Sequence, residues 1–589
     1  MTGKLCIMCF AALWLVSPRA EGQNIPGTGM LSGTVTASKP FRAARVHATN
    51  VDKNILYMVF THNGHYRAVN MLPGNYEVTV RQTGFATDVK KVVVKTGEDT
   101  AVDFALREAE VKPIRPSGIM GMGGGEGDEP LVSYDTLYPP GPGRDALEKQ
   151  CLYCHGPSYF PRHRMSEQEW RVRGLDDKIN AGGPRGSMHS PAIISPSALG
   201  VHPRGELEVK MNDTLSENDK NLIAEYLGEN FGPSSPKRAL RMDFEIPIDE
   251  NALANAMYIE YYLPLDPKLD PHGARRETQD PHIGNNGEVW YTDRSKNNRV
   301  GRLDPRTGEF KDFKTPDPND VDPHGLTVDK QGEVWFAEEV SAKLGRLDPE
   351  TGKMEEIDTN PDGSNSGGWI NTPALDSKGN VWFTVILGNK LGKWDRETGK
   401  VTLYPGPTSG HPGYGYGIVV DQKDKVWFAE YQRCKVAKFD PETEKFTEYP
   451  ALPGPDPQCV VRRLAVDSRG TIWYGVYSHG KLGKLVPSTG EQVLYDLPVP
   501  FSQPYGMWVD PFDDVWTGDG GIGDRGTFVK FSPQTRKFTY FPTPQIAAFP
   551  NIDITREGAI WYTPRTRGKV ALGVLYPDVT KITTLGAYR

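Results

Sequence analysis

A tryptophan recurs through the C-terminal half of the chain at 290, 335, 382, 427, 473, 516 and 561, with gaps of 45, 47, 45, 46, 43 and 45 residues. A fixed period of this length constrains the fold more than any local pattern, because it belongs to arrays of small sheets. Each repeat reads as a strand ending in Asp, a Gly-containing turn, a Trp-centred strand, a Lys-Leu-Gly-Arg-Leu-Asp strand and a Pro-x-Thr-Gly turn. Asp322 to Glu338 followed by Lys343 to Gly352 shows the unit in full. Seven such sheets cannot each bury both faces alone, so they close radially, and the pattern predicts a seven-bladed β-propeller over 257–589. Tyr258 to Pro264 reads as a strand without a blade of its own that closes the ring on the last repeat, with Lys581 to Leu585 as a competitor for that place.

Upstream the 589-residue chain changes character several times, and a multidomain, mainly β protein is expected. Lys4, the apolar run Leu5 to Val16 and Ser17-Pro18-Arg19-Ala20 read as a signal peptide over 1–22, which predicts a periplasmic or secreted protein. The run is too short to span a bilayer, and no later segment is apolar enough to do so. Residues 28–108 alternate apolar and polar in short runs, the period of a small β-sandwich. Within them, Met71-Leu-Pro-Gly-Asn-Tyr-Glu-Val-Thr-Val80 and Gly84-Phe85 resemble the carboxypeptidase regulatory-like domain, which implies an accessory folding or binding module. His62 and His65 lie near a turn and read as solvated. Residues 109–143 are Gly- and Pro-rich, as a linker is. Residues 144–233 read helical at both ends, with Ser216 as the N-cap of the last helix and Leu222, Ile223, Tyr226 and Leu227 on its apolar face.

In that helical region Cys151-Leu-Tyr-Cys154-His155 matches the spacing for covalent haem c attachment, with the two thiols on the vinyl groups and His155 under the iron. A redox dithiol or half a zinc site are the other readings of such a pair. With an amphipathic helix following, the region resembles a class I cytochrome c domain, a small all-α unit. That resemblance places Met211 as the sixth haem ligand, with Met188, His189 and Met165 as rivals.

Propellers present function where the innermost strands begin, eleven residues before each Trp. This count selects Gln279, His324, Asn371, Tyr416, Arg462 and Tyr505, while Asn551 lies ten before the seventh Trp. Three residues after their Trps stand Asp293, Glu338, Glu430 and Asp519. These carboxylates suit a divalent cation, Mg or Ca, or else pair with the Lys and Arg residues that follow. Cys434 and Cys459 fall on one face of neighbouring blades, as a disulfide or as two buried thiols.

The Val-Trp-Phe-x-Glu and Lys-Leu-Gly-Arg-Leu-Asp repeats are similar to the virginiamycin B lyase family over the whole propeller. That resemblance implies a carboxylate-Pro-His segment carrying metal and general base, matched here by Asp322-Pro323-His324. The family's second His falls at Gln279, and Asp280-Pro281-His282 is a duplicate out of register. The first expectation is therefore an exported electron-transfer protein with a redox partner, its propeller binding a small molecule, glycan or protein. The alternatives are a carbon–oxygen lyase or hydrolase at the propeller mouth around His324 and Asp322, and a non-catalytic binding module. A net charge of −7 gives no basic footprint for nucleic acid.

Overall fold

The computed structural model describes residues 25–111, 129–152, 157, 160–175, 216–241, 245–265 and 276–589, the last stretch without 296, 319–320, 361–368, 387–389, 408–414, 432, 455–458, 523–524 and 567–568. Six four-stranded antiparallel sheets follow one another over 278–314, 323–358, 370–405, 415–450, 461–496 and 504–542. A seventh is made of Ile552–Ile554, Ile560–Tyr562, Ala571–Tyr576 and the upstream strand Met257–Tyr262. Neighbouring innermost strands touch all the way round, the first meeting the last, so the ring is closed.

The repeat can be read as chemistry. The Asp that ends an inner strand turns its carboxylate back over the following turn. Asp376 accepts from the backbone N–H of Lys378 at 3.0 Å and of Asn380 at 2.9 Å, and from Trp382 Nε1 at 2.9 Å. Asp329, Asp421, Asp467 and Asp510 hold Trp335, Trp427, Trp473 and Trp516 in the same way. Donors that a tight turn would leave orphaned are thereby satisfied, and the indole is fixed in one rotamer. The held Trp then fills the seam to the next blade, as Trp335 does against Trp394 at 4.5 Å between centroids and Trp382 against Phe439 at 5.6 Å. The glycine of Lys-Leu-Gly leaves room for the aromatic after the Trp: a Cβ on Gly345 or Gly392 would stand 2.2 or 2.1 Å from the ring of Phe336 or Phe383.

The N-terminal unit is a sandwich. One sheet pairs Gly29–Thr36 with His65–Met71 and Asp99–Ala101. The other orders Ile55–Phe60, Arg45–Asn50, Gly74–Arg81 and Lys90–Val94, and it does not stop at its own edge. Ile55–Phe60 pairs with Met257–Tyr262, which pairs on its other side with Ala571–Tyr576. A single eight-stranded sheet thus runs from the sandwich into the seventh blade. The ring closes on Met257–Tyr262, and its rival, Lys581 to Leu585, forms no strand, its first residue ending the helical turn Val579–Lys581.

The region between differs from the small all-α domain expected. Its helix Glu217–Phe231 is capped by Ser216 and buries Ile223, Ala224, Tyr226, Leu227 and Phe231. Its ends, however, are tied by a parallel strand pair, Leu131–Val132 with Ala239–Leu240. The first strand of that pair and the short helix Tyr134–Leu137 lie inside the stretch read as linker, between its Gly-rich part and Pro139 to Gly143. Among the described residues no helix is long and apolar enough to cross a membrane.

Candidate functional site

Every inner strand of the first six blades carries the same irregularity. In the first, Thr278 pairs with Asp293 and Pro281 with Tyr291, so 279 and 280 oppose the single residue 292. The bulge recurs at 324–325, 371–372, 416–417, 462–463 and 505–506. A bulge re-aims side chains and bends the strand, and here it sends two successive residues toward the axis. The upper set is Gln279, His324, Asn371, Tyr416, Arg462 and Tyr505. The lower set is Asp280, Gly325, Thr372, Gly417, Arg463 and Gly506, and Asn551 belongs to it. Contacts between blades that are not neighbours show that both sets meet at the centre.

In the upper ring His324 is fully buried. Its Nε2 lies 3.1 Å from Gln279 Nε2 and 3.5 Å from Asn371 Nδ2, amide nitrogens that can only donate. Nε2 is therefore the acceptor and Nδ1 carries the proton, a tautomer assigned from the partners. Among the described residues Nδ1 has no hydrogen-bond partner. Burial, then the charges of Arg294, Arg463 and Arg565, hold the imidazole well below its ordinary pKa, so it is neutral. Across the axis Tyr416 presents its ring edge-on at 6.3 Å from that of His324, and its hydroxyl lies 2.6 Å from that of Tyr505. Arg462 lies among phenol rings, 4.0 Å from the centroid of Tyr477, 4.2 Å from Tyr505 and 5.4 Å from Tyr431.

The lower ring is a plug. Arg463 donates to Thr372 Oγ1 at 2.8 Å, to the Pro550 carbonyl at 3.2 Å and to Asp280 at 3.3 and 3.4 Å, spanning three other blades. Asn551 donates to the same Asp280 at 3.3 Å. Glycines at 325, 417 and 506 make room: a Cβ on Gly417 would stand 2.5 Å from the Arg462 carbonyl. In the first six blades the count back from the Trp found only the upper ring. The residue after it, on the same bulge, carried the missing half.

Asp322 is buried and bound by Arg294 through two contacts of 2.6 Å, and Arg294 also meets Glu339 at 2.9 Å. Glu339 in turn accepts from Asn371 Nδ2 at 2.8 Å. Burial raises the Glu339 carboxyl above its usual range, and Arg294 only partly opposes it. Asp322 thus stands behind His324 as half of an ion pair. His282 stays out of the ring, 3.6 Å from Asp553 and 3.3 Å from Arg589.

The cofactor expectation, haem c and a Mg or Ca ion, is overturned: among the described residues no group of three or more His, Cys, Asp or Glu is placed to hold a metal ion. The four carboxylates serve their own blades instead of converging. Asp293 pairs with Arg276 at 2.8 Å and Arg299 at 3.1 Å, Glu338 accepts from Ser341 at 2.8 Å, and Asp519 accepts from the backbone of Gln503 at 2.8 Å. Burial, then the neighbouring Glu448, pushes Glu430 up to about 8, where it is largely protonated at neutral pH. Cys151 packs in an apolar cluster with Leu147, Phe160, Trp170 and Leu227. Cys154, His155, Met211, Met188 and His189 lie outside the described residues. The electron-transfer reading loses its support with the cofactor. Cys434 and Cys459 are joined in a disulfide between the fourth and fifth blades.

Comparison with known proteins agrees with the two β units. Residues 277–524, less than half of the chain, match the model of the virginiamycin B lyase family. Residues 30–107 match the carboxypeptidase regulatory-like domain. Among solved structures, a streptogramin B lyase is 21% identical with a TM-score of 0.47, over 55% of this chain and 98% of that one. Selenomethionine-substituted virginiamycin B lyase from Staphylococcus aureus gives 21% and 0.45 over 51% and 94%. A catalytically inactive His-to-Ala variant of the Staphylococcus aureus lyase, with quinupristin, gives 20% and 0.47 over 54% and 99%. No curated protein matches. The chain thus carries a carboxypeptidase regulatory-like domain and, beyond it, a virginiamycin B lyase-like propeller region.

Proposed function

We propose that the propeller binds a small cyclic ester or depsipeptide at the axial ring and opens it by carbon–oxygen elimination, with His324 as general base. The observation that carries this reading is the neutral imidazole at the axis, its Nε2 lone pair held only by amides that a substrate can displace. In such an elimination Nε2 takes the proton next to the carbonyl. The C–H electron pair becomes the new C=C bond, and the C–O bond breaks with its pair on oxygen. The nearby charges of Arg463 and Arg294 stabilise the enolate oxygen that develops. No water is added, so the linear product is an isomer of the ring. Asp322 acts through Arg294 as a positioning residue.

Quinupristin, bound by a solved relative, is the probe. The expected result is a linear product of unchanged mass, with turnover falling roughly 10²–10⁴-fold in His324→Ala. A product heavier by one water means hydrolysis. Thermal stabilisation by quinupristin without turnover, equal in both proteins, replaces the proposal with a binding module. Gln279 at the second histidine's place and Asp322 already committed to Arg294 favour that second reading.

We also propose export. The apolar run Leu5 to Val16 and the Cys434–Cys459 disulfide, which persists in oxidising compartments, support it. N-terminal sequencing of protein recovered from the native host tests it, and an intact Met1 there would refute it.

A further inference from the structure

We infer that Tyr505 is a second catalytic group of the axial site, donating a hydrogen bond to the carboxylate oxygen that leaves while Tyr416 donates to the Tyr505 oxygen. The inference rests on the elimination reading.

Two buried hydroxyls 2.6 Å apart cannot both donate to each other, so one accepts, and the acceptor is the readier to ionise. The surroundings choose Tyr505. The Arg462 guanidinium lies 4.2 Å from the Tyr505 ring centroid but 5.9 Å from that of Tyr416. Burial opposes ionisation of Tyr505, but the charges of Arg462, Arg565 and Arg463 outweigh it and bring the phenol below its ordinary pKa, whereas burial and then Tyr505 drive Tyr416 above its own. Facing Tyr416 are the Arg463 guanidinium, 5.1 Å from its ring centroid, and Tyr431, 5.4 Å away between centroids. Tyr477 lies 5.7 Å from Tyr505 between ring centroids, Asp280 is held by Arg463, and Glu277 by Arg565 at 3.1 Å.

His324 stands in the second blade, Tyr416 in the fourth and Tyr505 in the sixth, so base and phenol pair face each other across the axis with the His324–Tyr416 contact between them. In the step, His324 Nε2 takes the C–H proton, and the C–O bond breaks with its pair on a carboxylate oxygen, which accepts from Tyr505 Oη. Tyr505 Oη in turn accepts from Tyr416 Oη beside Arg462. After the product leaves as a carboxylate, the imidazolium gives its proton to solvent, and atoms and charge balance.

Ultraviolet tyrosinate difference titration of the full chain, wild type against Tyr505→Phe, tests this without substrate. One phenol should ionise below the ordinary tyrosine range in the wild type and be missing in Tyr505→Phe. In Tyr416→Phe, which loses the donor, that ionisation should move upward. Identical titrations of wild type and Tyr505→Phe below that range overturn the inference. In turnover, Tyr505→Phe should lower kcat roughly 10²-fold at unchanged KM and remove the alkaline limb of the pH profile. Full kcat in Tyr505→Phe alongside loss in His324→Ala overturns the inference and leaves the base in place. Failure of the elimination reading shows separately, as no turnover in the wild type.

Discussion

Glu260 is fully buried in the closing strand, accepting from Tyr562 Oη and Gln545 Nε2, each at 3.1 Å. Burial is the larger influence and raises the carboxyl to about 7. The folded protein therefore holds this proton more tightly than the unfolded chain does. The stabilisation is fully present below the unfolded value near 4.5 and is lost as pH rises through about 7. Glu260→Gln should remove that component, leaving the variant more stable than the wild type above pH 7 by on the order of 3 kcal/mol. Urea titrations of both proteins across that window check it, and parallel curves would refute it. Gly417→Ala should cost roughly 1–3 kcal/mol, because the atoms that the new methyl meets include the Arg462 carbonyl and Arg463 Cα, which are backbone and cannot swing away. At this scale His324, Gln279 and the rest of the upper ring were legible in the sequence, since a residue at a constant offset from a Trp lands at a constant place in a repeat. Arg463 and Asp280 were not, because they meet each other from the fifth and first blades and no spacing encodes that.

A blade is stable as an element because Asp, turn and Trp are one hydrogen-bonded unit. Asp421 serves three donors, Lys423 N, Lys425 N and Trp427 Nε1. Asp421→Ala leaves them without an acceptor and should lower stability by roughly 1–3 kcal/mol in a denaturant midpoint comparison. The first and last Trp lack this Asp, having Gly284 and Thr555 there, and Trp561 Nε1 is buried without a partner among the described residues. The blades beside the ring closure are thus the least reinforced. The disulfide bridges residues 25 apart in sequence, so its reduction, or Cys434→Ser with Cys459→Ser, should cost about 3 kcal/mol on thermal unfolding. Sequence period gave the blades readily. It could not choose between disulfide and thiols, since distance depends on how adjacent blades dock.

For the whole molecule, local spacing misled where convergence in space was needed. Asp293, Glu338, Glu430 and Asp519 share a sequence offset, yet each finds neighbours in its own blade, so no cation site forms from them. The continuous eight-stranded sheet was equally hidden, because Ile55–Phe60 and Met257–Tyr262 look like any two short apolar strands and pair across some 200 residues of chain. Removing residues 25–111 should bare the outer edge of Met257–Tyr262, a flat apolar edge prone to pairing with other chains. Light scattering of the truncated protein should show association that the full chain does not. The same arrangement sets an order of assembly. The strand that closes the ring is made before any blade, and its last partner, Ala571–Tyr576, is made almost at the end. Throughout that interval the sandwich already occupies one side of Met257–Tyr262, so the nascent chain carries one open edge instead of two, held in the register the final blade will need.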